Sequence, residues 1–513
     1  MLLTRRTALK LFVGAVPAVN VSRVLEWNGD SAQTESGAFK GTRESLQRYV
    51  VPEWFRDAKF GIWAHWGPQS APEYGDWYAR RMYVEGEAQY KYHLEHYGHP
   101  SKFGFKDIIP TWKAEKFDAE YLVSLYKRAG AKYFVSMGVH HDNFDLWNSR
   151  HTRWNSVQMG PKKDIVGLFK KAAHKHGLKF GVSEHLWITY KWFSTSHGSD
   201  KEGPLAGVPY DGADAQFADL YCDSEDIHTK LDWDERGIPE SWKRHWFARI
   251  KDLVDQYKPD LLWCDGHIPF DNWGLGLVAH YYNVDARNHS GKVQGVYSSK
   301  RRQDSAIGTC ILDVERGIVE TIWPLPWQTS TCIGNWHYNK RVKYMRPKMV
   351  IDILLDVVSR NGNLLLNFPL PNNGMLDGEE LKILDEITKW MTVNSEAIHA
   401  TRPWKIFGIG PGAESREATG SFSEGKRKDL TAEDIRFTSK GNSIYAFVMG
   451  WPEKQIVIGP LGTKSQYDVG KIGNVELLGR GKVQFVQEAD GLKVELPEEK
   501  PCDYAITLKI RHA

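Results

Sequence analysis

Cysteine is scarce in this 513-residue chain: five in all, at positions 222, 264, 310, 332 and 502, with no Cys-x-x-Cys pair among them. An odd count without paired spacing supports neither a disulfide framework nor a zinc knuckle. Cys264, Cys310 and Cys332 fall in apolar, strand-like runs, where a thiol serves as a small hydrophobe. A surplus of one charge is missing too. Lys and Arg number 67 against 64 Asp and Glu, and three of the basic residues, Arg5, Arg6 and Lys10, crowd the extreme N-terminus. Without those three the signs balance, which leaves no basic surface for a polyanion and excludes nucleic acid as an expected partner. Past the N-terminus no apolar run approaches the roughly 18 residues that a membrane span requires. With 41% hydrophobic and 26% charged residues the composition is globular, and the length suits two cores. What is plentiful is aromatic: 21 Trp, 22 Tyr and 21 Phe. Such rings fill cores, and they also suit clefts that stack sugars.

The chain opens Met1-Leu2-Leu3-Thr4-Arg5-Arg6-Thr7-Ala8-Leu9-Lys10 and continues through a short apolar stretch to Val19. A twin arginine before a brief apolar run and small residues is an export pattern, too short for an anchor. It resembles the bacterial twin-arginine signal. Residues 1–22 are therefore expected to direct export to the periplasm or beyond, and residues 23–42 to form a linker.

From there, short apolar runs alternate with amphipathic helical patterns. The runs are Phe60–Trp66, Tyr133–His141, Lys179–His185, Leu261–Gly266, Val293–Ser298, Cys310–Val314, Thr329–Ile333 and Asn363–Phe368. Asp118 can cap a helix with Leu122, Leu125, Tyr126 and Ala129 on one face and Gly130 at its end. Asp164, Ile165, Leu168, Phe169, Ala172 and Gly177 repeat that design, and Trp246, Ile250, Leu253, Val254 and Tyr257 make a third stripe. This is an α/β pattern. Strands alternating with helices imply a parallel sheet, and eight runs predict a (β/α)8-like, TIM-type barrel over residues 43–404. The competing doubly wound sheet lacks any Gly-rich phosphate fingerprint after a strand. Beyond Trp404 the pattern shifts to short β-like runs, with turns expected at Lys440-Gly441-Asn442 and Asp490-Gly491. Residues 405–513 are expected to form a C-terminal antiparallel β-sandwich.

Barrel enzymes take their catalytic groups from the C-terminal ends of strands and the loops that follow. Here the first run ends in His65-Trp66-Gly67, the second in His140-His141-Asp142-Asn143 and the third in Ser183-Glu184-His185. The fourth ends in Trp263-Cys264-Asp265-Gly266, and the sixth in Asp313-Val314-Glu315-Arg316-Gly317. Histidines and acids converging on one rim could serve two chemistries. A metal hydrolase needs lone pairs aimed at one point, usually from His-x-His on a strand, and His140-His141 lacks that spacing. Glycoside hydrolysis needs two carboxylates, about 5 Å apart if configuration is retained. Asp265 and Glu315, from different strands, could meet that need.

These residues also carry a resemblance. Phe60-Gly61-Ile62-Trp63-Ala64-His65-Trp66-Gly67, His140-His141-Asp142, Trp263-Cys264-Asp265-Gly266 and Asn361-Gly362-Asn363-Leu364-Leu365-Leu366-Asn367 resemble motifs of glycoside hydrolase family 29, the retaining α-L-fucosidases. Asn394-Ser395-Glu396-Ala397-Ile398, Thr401-Arg402-Pro403-Trp404, Asp434-Ile435-Arg436-Phe437-Thr438 and Ala446-Phe447-Val448-Met449-Gly450-Trp451-Pro452 extend it, in family order, over about residues 43 to 510.

The resemblance implies Asp265 as nucleophile and Glu315 as acid/base, with Glu184 and Glu320 as other candidates for the second role. It further implies His65, His140 and His141 as partners of sugar hydroxyls, and Asp76-Trp77 as the counterpart of a Glu-Trp pair at the ring edge. Glu184, His185 and Trp263 complete the expected sugar contacts, with Lys300 representing a basic cluster, Lys300-Arg301-Arg302, where many members present one arginine. Asn143 stands where the family often has glycine, and Ser183-Glu184-His185 where many have a tyrosine-bearing run. The implied activity is removal of a terminal α-L-fucose, or a related L-galacto-configured sugar, from a glycan, with no metal and no cofactor. A catalytically silent carbohydrate-binding protein on the same scaffold and a metal-dependent hydrolase are the alternatives.

Overall fold

The computed structural model describes residues 37–513 except 225–226, 228, 416–418 and 454. The expected export signal and residues 23–36 of the expected linker lie outside the described residues. The last linker residues are docked onto the barrel. The Asn283 side chain accepts from the Phe39 N–H at 3.0 Å and donates to its carbonyl at 2.8 Å, and the Phe39 ring meets Tyr282 edge-on.

All eight apolar runs overlap strands: β1 Phe60–Ala64, β2 Tyr133–Val139, β3 Lys179–Glu184, β4 Leu261–Cys264, β5 Val296–Ser299, β6 Ile311–Asp313, β7 Trp327–Cys332 and β8 Gly362–Asn367, with β5 running one residue past its run and β7 and β8 starting two and one residues before theirs. They pair in parallel in sequence order, and β8 returns to β1 to close the barrel. Such strands are covered on both faces, by helices outside and by one another's side chains inside, which is why they read as continuous apolar runs. Trp63, Tyr133, Val135, Leu261, Trp263, Val296, Ile311 and Leu365 share the interior. The packing is tight enough that a Cβ on Gly61 would lie 2.3 Å from the Tyr133 ring in the adjacent strand.

The three predicted helices form as Ala119–Arg128, Ile165–Lys175 and Glu240–Tyr257. Asp118 accepts the Tyr121 N–H at 3.0 Å and Asp164 the Gly167 N–H at 2.9 Å, satisfying donors that the first turn leaves open. Gly130 and Gly177 follow with positive φ. Leu168 differs from expectation: it lies at the margin of its helix stripe and is exposed. Among the described residues, the β6–β7 connection contains no helix, and Glu315 lies on it.

The C-terminal part is built from β9 Arg402–Ile409, β10 Ile435–Lys440, β11 Ser443–Val448, β12 Gln455–Ile458, β13 Ile472–Leu477, β14 Gly481–Lys482, β15 Phe485–Gln487, β16 Leu492–Glu495 and β17 Ile506–His512. They form an antiparallel sheet ordered β14-β13-β17-β11-β10-β9 and a smaller one ordered β12-β16-β15, over a shared core that includes Phe437, Val448, Ile458 and Leu492. Lys440 pairs with Ser443, leaving a two-residue turn in which Gly441 takes φ +55°. β9 runs across position 404, where the residue pattern changes.

Barrel and sandwich meet at a buried charge cluster. Asp356, on the Pro347–Ser359 helix, accepts from Arg360 at 2.8 Å, from Arg436 of β10 at 2.5 Å, and from Arg427. Burial alone would push its carboxyl up, but the three guanidiniums outweigh burial and hold it below the carboxylate range. Asp356→Ala would strand several buried cations. We expect it to lower unfolding free energy by about 3–5 kcal/mol in denaturant titrations.

Candidate active site

The mouth of the barrel encloses a cavity of about 390 Å³. Its floor is the Trp63–Trp263 pair, with ring centroids 4.7 Å apart. Around it stand His65 after β1, His140 and His141 after β2, His185 after β3, Asp265 after β4, Lys300 after β5 and Glu315 after β6, with Asp76 and Trp77 from the β1–β2 connection.

Asp265 is fixed from both sides. Its Oδ1 accepts from the Lys300 ammonium, and its Oδ2 lies 3.1 Å from His141 Nε2 and 3.2 Å from His185 Nδ1. Its N–H donates to Glu184 O at 3.0 Å, while its own carbonyl accepts from the Trp187 indole. The chain then turns at φ +120° through Gly266, a conformation that a side chain would strain. Burial opposes the charged form of Asp265, yet Lys300 and the two imidazoles outweigh it and hold the carboxyl well below its ordinary value.

Glu315 goes the other way. Burial raises its pKa, Lys300 offsets only part of that, and the negative charge of Asp265 adds to the rise. Lys300 Nζ donates to Glu315 Oε2 at 2.5 Å as well as to Asp265. Two acceptors on one nitrogen place the facing carboxylate oxygens no more than about 5 Å apart. Burial would lower the Lys300 pKa, but its two carboxylate partners raise it above the ordinary value. Two carboxyl groups thus share one space with their proton affinities driven apart, the arrangement that lets one attack while the other carries a proton.

The imidazoles form a contiguous wall. Burial and neighbouring imidazoles lower the pKa values of His65 and His140, and burial takes His185 to about 4. Neutral rings of this kind each offer one donor and one acceptor. Gln69 Nε2 lies 2.9 Å from His140 Nδ1, and both ring nitrogens of buried His65 lack a partner among the described residues. His337 is a member that the sequence did not single out. Its Nδ1 is 2.6 Å from Asp76 Oδ1, and its ring packs 4.5 Å from His65. His337 comes after β7 has ended, beyond the run whose polar end was read. In two groupings, His65–Asp76–His140–His337 and His140–His141–His185, one ligand atom per residue falls within 4.8 Å of the others. A transition metal and sugar hydroxyls would compete for these nitrogens.

The alpha-L-fucosidase family model matches residues 28–396, and the alpha-L-fucosidase C-terminal domain model matches residues 427–511. The chain belongs to the alpha-L-fucosidase family. It is 26% identical over 484 residues to human tissue alpha-L-fucosidase, covering 91% of this chain and 90% of the relative. Human plasma alpha-L-fucosidase is 26% identical over 498 residues, covering 92% of each. A Thermotoga maritima alpha-fucosidase solved in complex with fucose superposes with a TM-score of 0.69 at 25% identity, covering 92% of this chain and 99% of that one.

Within this fucosidase-family scaffold, Asn143 takes φ +62°. The position usually given to glycine is left-handed, and asparagine is among the side chains that tolerate it. Its amide is held by Leu220 O and by Arg249. His185, in the region expected to carry tyrosine, faces the Asp265 carboxylate instead. Of the basic cluster, Lys300 lines the cavity, whereas Arg301 and Arg302 are exposed.

Two expected residues lie elsewhere. Glu184 is fully buried but outside the cavity lining: its Oε2 accepts from Leu186 N–H at 3.0 Å and from the Trp246 indole at 3.3 Å, in the surrounding helix layer. Adjacent strand residues face opposite ways, so with His185 turned into the mouth Glu184 must turn out. Burial raises its pKa, partly offset by its hydrogen bonds from Leu186 N–H and the Trp246 indole. Glu320 is exposed and away from the cavity lining.

Proposed function

We propose that the protein is an exported, retaining exo-α-L-fucosidase. The observation that carries this reading is the single ammonium of Lys300 bridging Asp265 and Glu315, two acids of opposite pKa shift whose facing oxygens are thereby kept within about 5 Å, close enough for the two-carboxylate mechanism of retaining glycosidases. Asp265, held ionised, attacks the anomeric carbon and forms a glycosyl-enzyme. Glu315, held protonated, gives its proton to the leaving oxygen. It then takes a proton from the water that attacks the anomeric carbon, and the C–O bond to Asp265 breaks. The imidazoles of His65, His140 and His141 pair with the sugar hydroxyls, and Trp77 flanks the ring. The Trp63–Trp263 floor closes the cavity below, which suits a terminal sugar. The twin-arginine pattern at the N-terminus supports delivery outside the cytoplasm.

The wild-type protein should release the aryl group from an aryl α-L-fucoside faster than from other aryl glycosides. EDTA should leave that rate unchanged. Sugar binding without release from any member of the panel would favour a silent binding protein, and loss of activity with the chelator would favour a metal hydrolase.

Lys300→Met removes the cation from both carboxyls, so both pKa values should rise. Activity needs Asp265 ionised, so the acidic limb of kcat/KM should move to higher pH by about 1–3 units. An unmoved acidic limb would detach Lys300 from the nucleophile.

A further inference from the structure

Resting on the fucosidase reading above, we propose that Phe422, with Trp233 of the same cavity lining, seats the leaving-group sugar as a neutral pyranose ring presented by its apolar face.

The argument starts from the β6–β7 connection, which has no helix to brace it. A distant segment braces it instead. Phe422 N–H donates to Glu315 O at 2.8 Å, Gly420 N–H to Ile318 O at 2.8 Å and Glu424 N–H to Arg316 O at 2.9 Å. The Glu424 carboxylate also accepts from the Arg316 guanidinium at 2.5 Å and from Thr331. The chain following β9 is thereby tied to the backbone of the residue that protonates the departing oxygen, and Phe422 comes with it to the cavity wall.

Phe422 as a residue is 68% exposed although it lines the cavity. Its backbone sits at φ +57°, an unfavourable conformation for an aromatic residue. A strained backbone holding an apolar ring in water does nothing for folding, and such exceptions gather at functional sites. Trp233, 49% exposed, stands over the sugar-facing side chains, with its ring 5.8 Å from Trp77 and 6.0 Å from His141. Because Glu315 delivers its proton to the leaving oxygen, the group bonded to that oxygen must lie beside Glu315 in the cavity that Phe422 and Trp233 also line. The guanidinium at this wall, Arg316, is already engaged by Glu424, so recognition falls to ring faces rather than to an acidic substituent.

The test compares an α-L-fucosyl disaccharide with methyl α-L-fucoside. Both need the Glu315 proton, but only the disaccharide has a second ring to seat. Phe422→Ala should lower kcat/KM on the disaccharide by about tenfold and change the methyl fucoside by less than about twofold. Phe422→Trp should keep most of the disaccharide rate. Equal losses on both substrates would mean that the bracing of Glu315 was damaged, and no loss on either would mean that the rings hold nothing; both results overturn the proposal. If the wild type cleaves neither substrate, the fucosidase reading itself fails and the seat falls with it.

Discussion

Asp265→Gly is expected to lower kcat on an aryl α-L-fucoside by on the order of 10⁴-fold or more, because it removes the carboxylate proposed to form the glycosyl-enzyme. The size of the loss alone does not identify a nucleophile. Removing Asp265 also strips a partner from Lys300, His141 and His185, so a structural role could produce a loss as well. Azide separates the two. Glycine opens the face that the carboxylate occupied, and azide entering there should displace the leaving group and yield β-L-fucosyl azide, restoring turnover in proportion to its concentration. A folded variant, verified by an unchanged thermal transition, that azide fails to rescue would remove Asp265 from the nucleophile's role.

The second large effect belongs to Glu315→Ala. On a fucoside with a poor leaving group, kcat/KM should fall by about 10²–10⁴-fold. On an aryl fucoside whose phenolate departs unaided, the fall should be much smaller. The pH profile supplies an independent sign. Glu315 must be protonated to act, and its pKa is raised, so wild-type activity should persist through the ordinary carboxylate range and decline as pH climbs past that raised value. The acidic limb, set by Asp265, should lie well below the usual carboxylate range. In the alanine variant the alkaline limb should disappear. A uniform loss over all leaving groups with that limb intact would assign the proton transfer to another group.

Much of the fold was legible because its elements obey local rules. Barrel strands buried on both faces read as unbroken apolar runs, and Asp118 and Asp164 announced helix starts. β9 was not legible as a strand, since Pro403 and Gly408 interrupt it and its pairing with β10 is a long-range fact. In the site, reading the ends of strands brought together Asp265, Glu315, His65, His140, His141 and His185, because the barrel delivers all such ends to one rim, whereas Lys300 was pointed to only by the family resemblance, as one of three basic residues. The same rule misled at Glu184, where a one-residue step reverses the side chain into the helix layer. His337 and Phe422 escaped notice for another reason. Neither ends an apolar run, and what matters about them is contact with Asp76 and with Glu315, residues far away in the chain.

The configuration of the sugar at the instant of release tests the central pairing most directly. Proton NMR of the wild-type enzyme cleaving an α-L-fucoside, recorded before mutarotation, should show α-L-fucose first, with the β anomer growing in later. Initial appearance of β-L-fucose would mean direct displacement by water, and would contradict two acids acting in turn across one anomeric centre.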